Sequence, residues 1–340
     1  MYALLLILFT ITGLFGLSVK IIGGGQPFNK TFSDNLKGYL SLMIICNHLA
    51  ASIKNPIILE PMFRNIGFIC VSVFFFISGW GTMYGYLKKE DYLNGFVSRK
   101  ITKILIPYLI AIILYSAAEI ATGSSFIECL ESFAVGSPVA KYSWYIIAVF
   151  VYYIEFWIAF KQKKLNPWVV AWILHALNLL VCVIVKWPMN WINTPHAFLI
   201  GGMMCQYKER ICLVEKKKNC AFLGAVLAIT FITTSYLTNK MGLLFLYWIG
   251  STATCALIAL ISTKVEIKGD IWKKVALISF ELYLYHGLTN SLLKHIGIIY
   301  QSNYIYCIMA YICAIFMAVV MHQFNKCITT IIGRERYVES

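Results

Sequence analysis

Charge is scarce in this chain. Of its 340 residues only 13% are Asp, Glu, Lys or Arg, against 60% hydrophobic, and no single soluble core could bury that much apolar surface. Acids are scarcer still, 15 against 29 Lys and Arg, for a formal net charge of +14. The cations sit in short breaks between apolar blocks, with no basic stripe interleaved with aromatics, so nucleic acid is not expected as a partner. No Cys-x-x-Cys spacing occurs among the 11 cysteines, and Cys46, Cys70, Cys182, Cys205, Cys255, Cys307 and Cys313 lie inside apolar blocks. They read as small hydrophobes, and neither a zinc site nor a disulfide framework is expected. Also missing is the alternation of apolar and polar residues over about ten positions that marks strands of a membrane barrel.

What is present is a series of apolar blocks of roughly 18 to 25 residues, long enough to cross about 30 Å of hydrocarbon as helix. About eleven candidate spans follow, near residues 2–22, 36–53, 66–87, 101–119, 143–160, 168–186, 195–207, 220–238, 241–262, 275–293 and 304–326. The expected fold is an all-α polytopic transmembrane bundle with the lipid bilayer as solvent. The boundary at 187–195, with Trp187, Pro188, Trp191 and Pro195, suits an interfacial loop as well as a helix end. Sorted by alternate loops, Lys and Arg fall almost entirely on one side. The other side holds only Lys54, Arg64, Lys141, Lys186, Lys240 and Lys294. The rich loops, including Lys88, Lys89, Lys161 to Lys164, Lys216 to Lys218 and Lys264 to Lys274, are therefore expected in the cytoplasm. That puts the C-terminus inside and, with an odd number of spans, the N-terminus outside. Met1 to Leu8 has no basic start and no A-x-A site follows, so the first block reads as a retained helix rather than a signal peptide. No internal repeat is visible, and no soluble domain is expected before or after the spans.

Few polar residues interrupt the blocks, and those few carry the chemistry. Lys37 and His48 are eleven residues apart, within about 20° of three whole turns and roughly 16 Å apart along one helix face, with Ser41 between them. With Lys37 at the cytoplasmic interface, His48 lies near mid-membrane, where an ionisable group signals function by default. A neutral His bonded to a neighbouring helix is the equal alternative. His286 repeats the arrangement twelve residues after Lys274, with Ser279 on its face. His175 has nothing else polar around it and reads as a packed structural residue, while His196, His295 and His322 fall near span ends. Glu155 and Glu281 are intramembrane acids expected to pair with buried cations or hydroxyls. Gly81 and Gly85 stand in GxxxG spacing and read as a helix-packing motif, and Tyr142 to Tyr145 read as an aromatic belt at the outer interface. Arg99, Lys100 and Lys103 precede a span, as a topology anchor or as a dock for a polyanion.

Five of these segments, in order, resemble a family of membrane-bound acyltransferases, acyltransferase 3, whose members O-acylate cell-surface carbohydrates. They are Leu36-Lys37-Gly38 with His48 beyond; Val71 to Gly79; Arg99 to Tyr108 with Pro107; Ser143-Trp144-Tyr145; and Ile278 to His286. The resemblance implies residues 31–333 as a ten-helix acyltransferase core, 1–30 as an extra N-terminal transmembrane helix and 334–340 as a short cytoplasmic tail. Lys stands where the family usually carries Arg at Lys37, and its paired-Arg motif reads as Lys100 and Lys103 beside Arg99, which keeps charge but loses the bidentate fork. The family's C-terminal esterase-like domain, found in some relatives, is not expected here.

The resemblance further implies a multi-pass protein of the plasma membrane that transfers an acyl group from cytoplasmic acyl-CoA to a hydroxyl of a saccharide or lipid-linked glycan. Acetyl-CoA is the commonest donor of that family. Lys37, Arg99, Lys100 and Lys103 would hold the CoA phosphates, His48 would act as general base, and His286 would share the catalytic centre. Trp144, Glu281 and Tyr283 would contact the acceptor, and no metal is implied. A transporter or flippase of glycan precursors, with His48 as a proton relay, is the rival from another class, and a non-catalytic scaffold on the same fold is a second.

Overall fold

The computed structural model describes residues 2–22, 24–53, 60–215 and 220–338. Lys54 and Lys216 to Lys218, used above to orient the chain, lie outside the described residues. The elements in chain order are α1 Tyr2–Ser18, β1 Val19–Ile21, α2 Lys30–Ala50, α3 Glu60–Lys88, α4 Phe96–Lys100, a π-helical turn Ile101–Leu105, α5 Ile106–Ala121, α6 Phe126–Ala134, α7 Trp144–Lys161 and α8 Pro167–Ile184. There follow α9 Asn190–Asn193, α10 Ala197–Gln206, α11 Lys208–Glu215, α12 Cys220–Met241, α13 Leu244–Ile261, β2 Val265–Ile267, α14 Asp270–Leu277, α15 Ser279–His295, α16 Ile298–Gln301 and α17 Asn303–Val338. The protein is an all-α polytopic membrane bundle. Seven of the described helices are long and apolar enough to cross a bilayer by length and composition. α2 and α15 span comparable lengths, 21 and 17 residues, but carry the polar side chains of the site.

Burial sorts the helices into centre and rim. In α3, 67% of the apolar window is buried, whereas in α12 the figure is 6%, so α3 lies at the heart of the bundle and α12 faces lipid beside α13. Exposed Phe9, Ile113, Ile173, Phe222, Ile232 and Phe316 distribute apolar surface around the outside, as a lipid solvent allows.

The 195–207 block is not a full span. α10 has ten residues, about 15 Å of helix, and it begins inside the bundle, with Ala197, Phe198 and Leu199 all buried. Hydropathy cannot register this, since buried protein and lipid are equally apolar. The close helix contact also differs from expectation. A Cβ at Gly81 would meet nothing within 4 Å, and at Gly85 it would meet the Tyr92 ring. The backbones touch at Gly79, where a Cβ would lie 1.8 Å from the Phe198 carbonyl oxygen, and at Gly201, 2.1 Å from that of Phe76. Those two glycines let α10 wedge against α3.

The turn Ile101–Leu105 has a cause in the sequence. Pro107 offers no N–H to the preceding turn, and the helix widens there by one residue per turn before α5 resumes. β1 and β2 form a two-stranded antiparallel ribbon, with Lys20 opposite Glu266, that the sequence reading did not foresee. It ties the end of α1 to the loop before α14, and so puts the Lys20 and Lys268 segments at the same end of the bundle.

Candidate active site

α2 supplies the frame. Asn29 caps its start, accepting from the Phe32 amide at 2.9 Å, and Asn35 donates to the Ile267 carbonyl at 2.8 Å. Gly38 lets α14 approach, since a Cβ there would lie 2.9 Å from the Ala276 amide. Lys37, Ile44 and His48 then form one stripe (i, i+7, i+11) facing two cavities stacked along the helix.

The lower cavity, about 150 Å³, is lined by Lys37, Phe74, Ile104, Tyr153, Ser279 and Tyr283 among others. Lys37 Nζ lies 2.8 Å from Asp34 Oδ1 and remains partly exposed. Burial works to raise the Asp34 pKa, but the adjoining Lys30 and Lys37 ammoniums outweigh it and hold the carboxyl below its ordinary value. Lys100 does not line the cavity but stands over one of its walls, with Nζ 3.6 Å from the centre of the Tyr153 ring. Lys103 is exposed on the π-helical turn beside Ile104. Arg99 is turned into the preceding loop. Its guanidinium donates to the carbonyls of Asn94, at 2.6 Å, and Tyr92. Of the four expected phosphate ligands, the fold therefore places Lys37 in the cavity lining and Lys100 over its Tyr153 wall, and occupies Arg99 with the loop.

The upper cavity, about 230 Å³, contains His48, Asn47, Trp144, Asn190, Asn193, Thr194 and Tyr283. Tyr283 lines both cavities and is their shared wall. His48 lies in the last turn of α2. Its ring stacks on that of Tyr142, centroids 3.5 Å apart and planes at 18°, with His286 5.1 Å away and nearly parallel. His286 Nδ1 sits 2.8 Å from the Tyr283 carbonyl and 3.1 Å from that of Leu282. Carbonyl oxygens only accept, so Nδ1 carries the proton and the neutral ring presents a bare lone pair at Nε2. That Nε2 is buried with no partner among the described residues, as are Asn193 Oδ1 and Thr194 Oγ1. Unpaired buried polar atoms are costly, and two of these, on Asn193 and Thr194, line the upper cavity.

Other expected residues lie elsewhere. Glu281 is buried on the face of α15 toward α17, where Oε1 accepts from Asn325 at 3.3 Å and Oε2 lies 3.3 Å from His322 Nδ1; it lines neither cavity. Glu155 accepts from Asn178 at 3.1 Å and lies 3.7 Å from His175, so His175 does have a polar neighbour, supplied by another helix. His196 stands at the start of α10, as expected near a helix end, and is buried, with Nε2 3.2 Å from the Trp248 carbonyl. The expected aromatic belt is likewise internal. Ser143 and Tyr145 are buried, Trp144 lines the upper cavity and Tyr142 covers His48. Sequence reasoning missed Asn190, Asn193, Thr194 and Tyr142 as site residues. The Pro- and Trp-rich run at 187–195 was the available signal for the first three. Among the described residues, no three of His, Cys, Asp and Glu gather as metal ligands.

Two stacked cavities, one lined by Lys37 and one by His48 with His286 5.1 Å from its ring, suit a group transfer between two substrates. A family model described as an acyltransferase domain matches residues 30–323. The chain belongs to that acyltransferase family. The match begins at Lys30, the first residue of α2, and covers both cavities, leaving α1 outside. No curated protein and no solved structure matched the chain. The family and the apolar helices together make this a multi-pass membrane acyltransferase.

Proposed function

We propose that this acyltransferase takes its acyl group, acetyl in the simplest case, from acyl-CoA at the cytoplasmic Lys37 end. It passes the group to a hydroxyl of a cell-surface or lipid-linked saccharide held in the His48 cavity. The protein would sit in the plasma membrane with its N-terminus outside and its C-terminus inside, as the Lys and Arg asymmetry favours. The observation that carries the reading is the pair of cavities divided by Tyr283, with Lys37 at one, Lys100 over its Tyr153 wall, and His48 at the other.

Each cavity matches its substrate. The lower one is narrow and mostly apolar past Lys37, which suits a phosphate anchored there, with Lys100 beside it over Tyr153, and a flexible arm beyond. Lys37 is already shared with Asp34, so it presents a donor whose charge is partly balanced before any ligand arrives. The upper cavity offers the amides of Asn47, Asn190 and Asn193, the Thr194 hydroxyl and the Trp144 indole. Amides and hydroxyls pair with a polyol while an aromatic face covers its C–H surface. The unpaired Asn193 Oδ1 and Thr194 Oγ1 are the partners such an acceptor would satisfy.

In the reaction an acceptor hydroxyl gives its proton to neutral His48 as its oxygen attacks the thioester carbon. The tetrahedral intermediate collapses, the C–S bond breaks, and the thiolate takes the proton back from His48 to leave as CoA–SH. His286, with its bare Nε2, would orient the acceptor hydroxyl or share the proton. The thioester reaches His48 by displacing or passing Tyr283.

Radiolabelled acetyl-CoA offered to membranes containing the protein tests the reading, with label followed into glycans and glycolipids. Label in an ester that mild alkali releases supports it. Movement of a glycan precursor across the membrane without labelling would favour a transporter, and neither would favour a scaffold.

A further inference from the structure

We infer that Tyr142 is the positioning residue of His48, a ring clamped over the imidazole by a loop held in an unfavourable backbone conformation; this rests on His48 being the base. Tyr142 has a φ of 67°, the left-handed region that a residue with a Cβ avoids and that glycine would occupy freely. Its ring lies flat on His48 with centroids 3.5 Å apart, and it is parallel to His286 within 10°. A non-glycine residue held at positive φ beside candidate catalytic groups points to function, provided the surroundings hold it there.

They do so at three successive residues. Lys141 Nζ bonds Glu119 Oε1 at 2.9 Å and Ser291 Oγ at 2.8 Å, pinning the loop to α5 and α15. The Tyr142 carbonyl accepts from the Tyr283 hydroxyl at 2.6 Å, and the Ser143 hydroxyl bonds that of Tyr108 at 3.2 Å. Space for the ring comes from Gly287, next to His286, where a Cβ would lie 3.1 Å from Tyr142 Cδ2 and 2.6 Å from the Tyr115 hydroxyl.

The clamp fixes the plane of the imidazole and covers one of its faces, on a residue that lines the upper cavity. Because Tyr283 holds the Tyr142 carbonyl and also divides the two cavities, the clamp and the partition share one hydrogen bond.

The test compares Tyr142→Phe, Tyr142→Ala and Tyr142→Gly in lipid, with His48→Ala alongside. Each variant is assayed for transfer from labelled acetyl-CoA, for thermal stability, and for carbethoxylation of individual histidines by diethylpyrocarbonate. Tyr142→Phe keeps the ring and should transfer within about twofold of wild type. Tyr142→Gly relieves the backbone yet loses the ring, so it should melt no lower than Tyr142→Ala while transfer falls by about 10²-fold, the scale of a misplaced catalytic group. The donor KM should hold in both. His48 should be carbethoxylated faster in Tyr142→Gly, with buried His286 and exposed His295 unchanged. Wild-type transfer and His48 reactivity in Tyr142→Gly, or losses that simply follow melting temperature, would overturn the inference. If His48→Ala is inactive in that case, the base assignment survives; if His48→Ala transfers normally, both fall.

Discussion

Removing His48 and His286 singly and together decides whether the two imidazoles form one catalytic unit. General-base catalysis contributes about 10² to 10⁴-fold, or roughly 3 to 5.5 kcal/mol of barrier, so His48→Ala should reduce maximal transfer by that factor. The rings are 5.1 Å apart, well inside the distance at which paired substitutions stop being additive. If His286 acts through His48, the double variant should lose no more than the larger single loss; independent roles would multiply, two losses of about 10³ giving about 10⁶. His286 is fully buried with Nδ1 bonded to two carbonyls, so its truncation also costs about 1–3 kcal/mol of stability. Rates must therefore be normalised to folded protein. The assay is initial transfer of label from acetyl-CoA in lipid at saturating donor. Normal transfer by His48→Ala would refute the mechanism and move the base to His286, and a multiplicative double loss would refute the single unit.

At the cation cluster, Lys37→Ala and Lys100→Ala should raise the donor KM several-fold with insertion unchanged, while Arg99→Ala should instead loosen the Tyr92–Asn94 loop and lower thermal stability; unchanged KM in both lysine variants would return the cluster to a topology anchor. Gly201→Val, whose Cβ would fall 2.1 Å from the Phe76 carbonyl, should destabilise the bundle by about 3 kcal/mol or more, whereas Gly81→Ala, facing open space, should melt like wild type; equal melting of the two would contradict the packing described. Reporter fusions near Lys89, Lys163 and Lys268 should read as cytoplasmic and one at the N-terminus as external, and a cytoplasmic N-terminus would refute the proposed orientation.

The bundle was legible because membrane helices announce themselves by length and hydropathy, and His48 and His286 because each is an ionisable ring inside an apolar block of the sequence. Their meeting at 5.1 Å could be anticipated only as equal depth, since helical phase gives a face without naming the neighbour it meets. The same gap explains the glycines. GxxxG spacing at Gly81 and Gly85 is a real signal of small residues, but the face that met a partner carried Gly79, and the partner was a half-helix that hydropathy reads as a span. Glu155 and His175 lie on different helices, so their pairing was invisible along the chain. Tyr142 was hidden by its company, because a Tyr-Ser-Trp-Tyr run at a block edge looks the same whether it faces lipid headgroups or folds inward over a histidine.

The helices that read least well as spans are the ones that matter most. α2 and α15 carry Asn47, His48, Tyr283 and His286 and are accordingly too polar or too short to qualify as spans by composition. Their neighbours depart from regular helix in turn. α10 starts inside the bundle, the helix before α5 widens at a proline, and Tyr142 sits at positive φ. Two of these departures adjoin the site, since Ile104 of the widened turn lines the lower cavity and Tyr142 stacks on His48 of the upper one. Local inconsistency of this kind is tolerated where a site requires it, and irregular backbone at membrane depth survives only where protein or a cavity surrounds it. The two that adjoin Tyr283, Ile104 across the lower cavity and Tyr142 through its carbonyl, are an argument for the site that uses neither the family assignment nor the identity of any substrate.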